Sequence, residues 1–310
     1  MKKSKITKGI LLAFLASIIS GIAIFYSKIS VVKIPPLILT SSRNFYVGIL
    51  FLLLFLFSGK LHKLKKLSKK QLVLLSLIGL IGGALPFYLF FTGLQYMPAI
   101  NANLIQKTLF IWVAILSVIF LKEKLNVSYF ISFALIFIAN FFFGKLSFGL
   151  GRGEIMILSA SLLWSVENIL AKKVLKNISS ELVGLFRMGI GGSLLMMTTI
   201  LTNRVNLIST IQHSSNLTII FVGGSILFFY VYTWYKALKY APASLVTLIL
   251  SFAVVVGNIL NGSFAGVKLL PKDIYASLLI GGATLLILFF SNVIPNLIRN
   301  LLNRFPLSRE

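Results

Sequence analysis

Cysteine is missing from the chain altogether, and acidic residues number only six in 310. The first absence removes disulfides, thiolate metal sites and a thiol nucleophile. The second removes most of the paired carboxylates on which acid–base catalysis commonly rests. Histidine occurs twice, at His62 and His213, both in predicted connecting segments, so no metal-ligating cluster is expected. No P-loop, nucleophile–base pair or Rossmann pattern is present. Gly189, Gly191 and Gly192 lie within an apolar run and follow no strand, so they are not a nucleotide site. These absences assign no catalytic residue, no metal and no cofactor. Charge of either sign is scarce too: 12% of residues are charged, against about 25% in soluble domains.

What the chain does have is apolar sequence, 58% of residues, with a mean hydropathy of +0.97. Apolar runs near twenty residues, punctuated by Lys, Pro, Asn or Ser, predict a polytopic helical membrane protein. The apolar residues are continuous rather than alternating, which excludes a β-barrel. Ten spans are predicted, at 9–26, 36–57, 72–93, 98–121, 126–143, 154–173, 181–201, 217–237, 243–264 and 273–294. The first is too long for a signal-peptide core and is read as an uncleaved span.

A net charge of +24 would suggest nucleic acid in a soluble protein. Here the basic residues sit between spans, where the positive-inside rule and anionic lipid account for them, and no nucleic-acid partner is expected. With the N-terminus in the cytoplasm, twenty of the thirty basic residues fall on inner segments and seven on outer ones. That bias predicts a multi-pass protein of the cytoplasmic membrane with both termini inside. Leu61, Leu64 and Leu67 among lysines form one amphipathic piece. Leu297, Ile298, Leu301, Leu302 and Phe305 form another. Each reads equally as a surface-docking helix or as a solvated connector.

The sequence also repeats. Leu94, Tyr96, Pro98, Ala99 and Lys124 match Leu238, Tyr240, Pro242, Ala243 and Lys268 at one ungapped offset of 144 positions. The same offset carries Gly9 to Gly153, Lys28 to Lys172, Arg43 to Arg187, Gly48 to Gly192, Gly79 to Gly223 and Tyr88 to Tyr232. Matched leucines would mean little between two apolar halves; matched Arg, Lys, Pro and Tyr identify a duplication. An offset of 144 residues advances the chain by five spans, an odd number, so the second half must cross the membrane upside down. The expected fold class is an all-α membrane protein of ten transmembrane helices in two inverted five-helix repeats, a recurring build of secondary transporters. The expected division is 1–144 for the first repeat, 145–294 for the second and 295–310 for an amphipathic cytoplasmic tail.

The five-plus-five count, an Arg in the second span of each half, the hinge at 94–99 and the Phe-Leu-Lys-Glu-Lys-Leu close at 120–125 carry a resemblance. The chain resembles the drug/metabolite transporter superfamily, in its EamA-type ten-helix branch, over nearly all of residues 9–294. The resemblance implies carrier-type transport of small metabolites, often amino acids and often outward. Two departures stand out. Phe110 and Val254 stand where the family often has a proline in the fourth and ninth spans, which removes one cause of helix bending. Glu123, which closes the fourth span, has Val267 as its counterpart.

Three cations fall inside spans: Arg43, Lys107 and Arg187. Each costs roughly 2.5–3.5 kcal/mol unless it finds a partner, water or an escape route. Lys107 lies near the midplane with Asn103 and Gln106 on its polar face, and reads as a cavity group or as a buried, satisfied lysine. Arg43 and Arg187 lie about 10 Å from the outer and inner edges, close enough to snorkel and equally placed to serve as gates. Glu167, the only acid well inside a span, matches Arg187 in depth; it reads as that arginine's structural partner or as a proton carrier. Tyr88, Trp164, Tyr232 and Tyr235 fall in the third, sixth and eighth spans, which the resemblance implies line the central cavity. The expected function is an alternating-access carrier of a small carboxylate, an amino acid or relative, with export favoured. Expected partners are the solute and membrane lipids, with possible proton coupling and a monomeric or homodimeric state. The alternatives are a lipid or lipid-linked carrier translocase, or a membrane scaffold.

Overall fold

Within a bilayer every backbone N–H and C=O must be paired internally, so an apolar chain crosses as helices or as a closed barrel. The computed structural model describes residues 2–59, 62–97, 99–141, 151–264, 266 and 268–290. Among them every regular element is helical. Nine helical segments are long and apolar enough to cross a membrane, and Val127–Asn140 is a shorter apolar tenth. The expected tail at 295–310, with its amphipathic face, lies outside the described residues.

The elements are α1 (Lys2–Ser30), α2 (Pro36–Phe57), the short α3 (His62–Lys65), α4 (Lys69–Ile78) and a π-helical turn (Gly79–Ala84) that runs into α5 (Leu85–Gly93). Then come α6 (Ala99–Lys107), α7 (Leu109–Leu121) and α8 (Val127–Phe141). The second half holds α9 (Arg152–Val174), α10 (Ser180–Gln212), α11 (Ser214–Tyr240), α12 (Ala243–Leu250), α13 (Ala253–Phe264) and α14 (Pro271–Phe290). Ser68 starts α4 with a reciprocal capping box, accepting from the Gln71 amide while Gln71 accepts from its own.

The duplication is visible in the packing. Gly48 of α2 meets the backbone of Met188 and Gly189 on α10, and Gly192 of α10 meets the backbone of Asn44 and Phe45 on α2. Those are equivalent contacts shifted by 144 residues. Gly9 of α1 fits against Tyr240 and Ala241, and Gly153 of α9 fits against Tyr96 and Met97. Gly9, Gly48 and Gly192 therefore mark places where a helix of one repeat crosses the backbone of the other so closely that a Cβ would meet it under 3 Å. Each repeat's first helix packs on the other repeat: α1 on α11, α12 and α13, and α9 on α5, α6 and α7.

The fourth and ninth spans are both broken, although neither carries a mid-span proline. The break falls between α6 and α7 at Thr108, and between α12 and α13 at Ser251 and Phe252. These are equivalent positions. At the first, Thr108 Oγ1 donates to the Ile105 carbonyl at 2.6 Å, a back-bond of the kind that bends helices. Bending here needs no proline.

The seventh span is longer than the polar run after Leu201 suggests. Helix continues to Gln212, with one non-helical residue at Asn203 (φ −138°, ψ 33°) absorbing a kink. Beyond the kink Leu207 packs with Ile34, Ile38, Leu39 and Ile220, so the limb covers the ends of α1, α2 and α11.

Candidate functional site

Pro86 cannot supply the i→i−4 donor that the Gly82 carbonyl would use, so that carbonyl is left to find another partner inside the bundle. Trp164 of α9 provides it: its indole Nε1 donates to Gly82 O at 3.2 Å. Phe87 and Phe90 of α5 flank the same indole at 5.2 and 6.0 Å between ring centres. The π-turn at 79–84, a form enriched at functional sites, is thus held open toward α9 and α10.

What occupies that opening is charged. Glu167, one turn along α9 from Trp164, is 1% exposed. Tyr235 of α11, fully buried, donates its hydroxyl to Glu167 Oε1 at 2.6 Å. The guanidinium of Arg187 on α10 stands 5.9 Å from the centre of the Tyr235 ring. Its Nε is buried without a hydrogen-bond partner among the described residues. A Cβ built on Gly82 would lie 3.0 Å from the Glu167 carboxyl carbon and 3.2 Å from Arg187 Nε. The missing side chain at Gly82 therefore makes the space in which acid and guanidinium face each other. Asn168, next on α9, spends its amide on the Trp164 carbonyl, and its buried Oδ1 has no partner among the described residues.

This arrangement has two chemical capacities. A buried carboxyl held by one phenol can hold or give up a proton. A guanidinium with an unused donor can bind a carboxylate through a fork of hydrogen bonds.

Of the residues singled out from sequence, Trp164, Glu167, Arg187 and Tyr235 come together here. The others lie elsewhere. Arg43 sits between α1 and α11: its Nη1 donates to Ser27 Oγ at 2.7 Å, its Cδ abuts Gly223, and its Nε is buried without a partner among the described residues. Lys107 ends α6, where the helix dipole favours a cation, and lines a separate cavity of about 50 Å³ with Thr108, Phe137 and Asn140. Gln106 is half-buried beside it, and the side chain of Asn103 is outside the described residues. Tyr88 is 38% exposed. Tyr232 receives a hydrogen bond from Lys236 of its own helix.

Sequence reasoning missed Gly82 and Asn44. Gly82 is findable as the residue four before Pro86. Asn44 is fully buried with neither amide atom partnered among the described residues, and nothing marks it in the sequence.

Two broken spans, a duplicated helical unit and a charged site in its interior define a membrane transporter. The model of the EamA-like transporter family matches residues 7–144 and again 151–289, and the chain belongs to that family. It is 27% identical over 176 residues to "Uncharacterized transporter YoaV" of Bacillus subtilis (strain 168). That alignment covers 55% of this chain and 59% of the relative's length. A solved crystal structure shares the fold with a TM-score of 0.76 at 18% identity, covering 96% of this chain and 99% of its own.

Proposed function

We propose that the protein is an alternating-access carrier for a small organic carboxylate, an amino acid or close relative, working mainly as an exporter in the cytoplasmic membrane. The observation that carries the reading is the Glu167–Tyr235–Arg187 group: a guanidinium whose Nε has no partner among the described residues, beside a buried carboxyl. In this reading Arg187 takes the solute's carboxylate, and Trp164 with Phe87 and Phe90 offers an apolar wall to its side chain. Glu167 exchanges a proton or meets the solute's amine. The two repeats, 1–144 and 145–294, rock against each other about the crossings at Gly48 and Gly192. The distribution of basic residues supports cytoplasmic termini, which puts Glu123, Lys172 and Tyr240 at the cytoplasmic end and Lys28 at the outer end.

Arg43 is the outer-gate counterpart of Arg187. The separate cavity at Lys107 supports a role for that lysine at the break of the fourth span, apart from the Glu167 group.

A lipid substrate is the second reading. It is favoured by an apolar groove of about 530 Å³ between α7 and α8, lined by residues such as Ile111, Val118, Phe130 and Phe137.

The discriminating experiment is exchange and uptake of labelled solutes by proteoliposomes. Amino or organic acids are expected to exchange across the bilayer, and a pH gradient is expected to drive their accumulation. Failure of every carboxylate to exchange, with flip of a fluorescent phospholipid in its place, would sink the first reading and establish the second. Exchange without any response to a pH gradient would remove the proton from it.

A further inference from the structure

Tyr240, Ala241, Pro242 and Ala243 join the end of α11 to the start of α12. Two helix ends meet there, each with unpaired backbone groups: carbonyls at the end of α11, amides at the start of α12. Both are satisfied by charged side chains from other helices. Glu123, just beyond α7, accepts from the Ala243 amide at 2.7 Å, the Ser244 amide at 3.1 Å and the Ser244 hydroxyl at 2.6 Å. Lys172, in the last turn of α9, donates to the carbonyls of Leu238 and Ala241 at 2.5 and 2.6 Å. A carboxylate on a helix N-terminus and an ammonium on a helix C-terminus are each the favourable sign for the helix dipole. Charge-assisted bonds of this kind are about twice as strong as neutral ones.

At the opposite end the same grip is not seen among the described residues. The position equivalent to Glu123 is Val267, so the sequence supplies no carboxylate there. Lys28, equivalent to Lys172, donates to Asn261 Oδ1 at 3.1 Å, a side chain on α13.

We infer that Glu123 and Lys172 form a clasp on the 240–243 hinge that holds the cytoplasmic end shut and must open once in each transport cycle. The inference rests on the alternating-access reading. Glu123 belongs to the first repeat and Ser244 to the second, so the repeats cannot part at this end while those three bonds persist. Lys172 holds α9 to the α11 side of the hinge. Among the described residues Glu123 and Lys172 make five charge-assisted bonds at the cytoplasmic hinge, and Lys28, the outer counterpart of Lys172, makes one, so the resting protein is closed toward the cytoplasm.

The test uses the absence of native cysteine. Thr247 lies one turn beyond Ala243 on α12 and is 2% exposed. A lone cysteine from Thr247→Cys should react slowly with a membrane-impermeant maleimide applied to the cytoplasmic face of inside-out vesicles. Lys66→Cys serves as the exposed control. Adding Glu123→Ala, or separately Lys172→Met, is expected to speed labelling at 247 by about tenfold or more. Lys28→Met is expected to leave it unchanged. Glu123→Gln keeps the side-chain shape and reads the same effect if the alanine variant fails to fold. Parent-like labelling at 247 in variants with parent-like melting overturns the clasp. Solute exchange by the unmodified protein is measured separately, so failure of the clasp is distinguishable from failure of the carrier reading.

Discussion

Arg43 and Arg187 occupy the same position in two copies of one unit, yet their surroundings differ. Arg187 faces a carboxyl that is tied to a phenol. Arg43 has a serine hydroxyl and, beside the same glycine, the ring of Tyr26. Where the second half has Glu167 and Tyr235, the first half has Ala23 and Phe91. The backbone crossings are kept in both copies, down to the glycines, since a Cβ at Gly48 or Gly192 would lie 2.8 or 2.6 Å from the facing carbonyl oxygen. Among the described residues the counter-charge is present in one copy only. A cation in a span needs desolvation offset by some partner, and the two halves show two ways to do it. One uses neutral hydroxyl groups. The other uses an acid, and in doing so creates a group able to take up a proton. Function is therefore sought where the symmetry breaks.

The largest effect should come from breaking the charged pair. Glu167→Gln leaves a permanent cation, since arginine cannot shed its proton, in an interior with no counter-charge. Destabilisation of about 3–5 kcal/mol is expected at a pH where the parent carboxyl is ionised, read as melting in detergent, and it should shrink as falling pH protonates Glu167 in the parent. Arg187→Gln should cost less, because the abandoned carboxyl can neutralise itself by taking a proton, and its deficit should shrink as pH falls. The double variant should recover much of the loss. Simple addition of the two single effects would mean that the two groups do not sense each other across Gly82.

Next in size is the strut beneath the pair. Trp164→Phe keeps the ring but leaves the Gly82 carbonyl without its donor, at an expected cost of about 1–3 kcal/mol. The equivalent position in the first half is Ser20, and Gly82 corresponds to Ile226 rather than a glycine, so Ser20→Ala should stay within about 0.5 kcal/mol. Equal effects at the two positions would show that the π-turn does not depend on the indole.

Much of this architecture is legible in the residues themselves. The offset of 144 positions identifies the repeat, and the matched glycines turn out to be the contacts that relate its two copies. The depths of Glu167 and Arg187 follow from counting residues along helices, and the two do converge. What counting cannot supply is rotation. Each residue turns a helix by about 100°, so an error of one or two positions in helix phase moves a side chain to another face. In spans that are apolar all round, hydropathy does not set that phase. Lys107 accordingly lies against α8 rather than with the arginines. Asn44 is hidden for the same reason. Helix continuity is the other blind spot: the run Thr202, Asn203, Arg204 reads as a loop, but one kinked residue is enough to carry α10 through it. The grip of Glu123 on Ser244 is 121 positions long in sequence and belongs to no local pattern.

A smaller effect is expected at the neutral arginine. Arg43→Gln removes a hydrogen bond to Ser27 but also removes a charge that has no acid beside it, so the two changes offset each other. Net destabilisation of about 1 kcal/mol or less is expected. A loss as large as that of Glu167→Gln would mean that Arg43 has a counter-charge in the folded protein, and the contrast between the halves would fail.

The smallest effect tests whether the missing acid can be restored. Ala23 lies one turn before Ser27 on α1, on the face that meets Arg43, since residues four apart on a helix are neighbours. Ala23→Glu with Phe91→Tyr reproduces the residue types of the second half. A faithful copy would couple as strongly as Glu167 and Arg187 do. The surroundings argue against that. Ala23 is only half-buried, and the position equivalent to Gly82 is Ile226, a bulky side chain where the second half has none. Partly solvated pairs are worth about 0.2–1 kcal/mol. A double-mutant cycle between Ala23→Glu and Arg43→Gln, read by melting in detergent, should therefore give coupling in that range. Adding Ile226→Gly to the same background should raise it if the glycine is what brings acid and guanidinium together. Coupling of several kcal/mol before that change would locate the difference between the halves in the acid alone. No rise after it would take Gly82 out of the explanation.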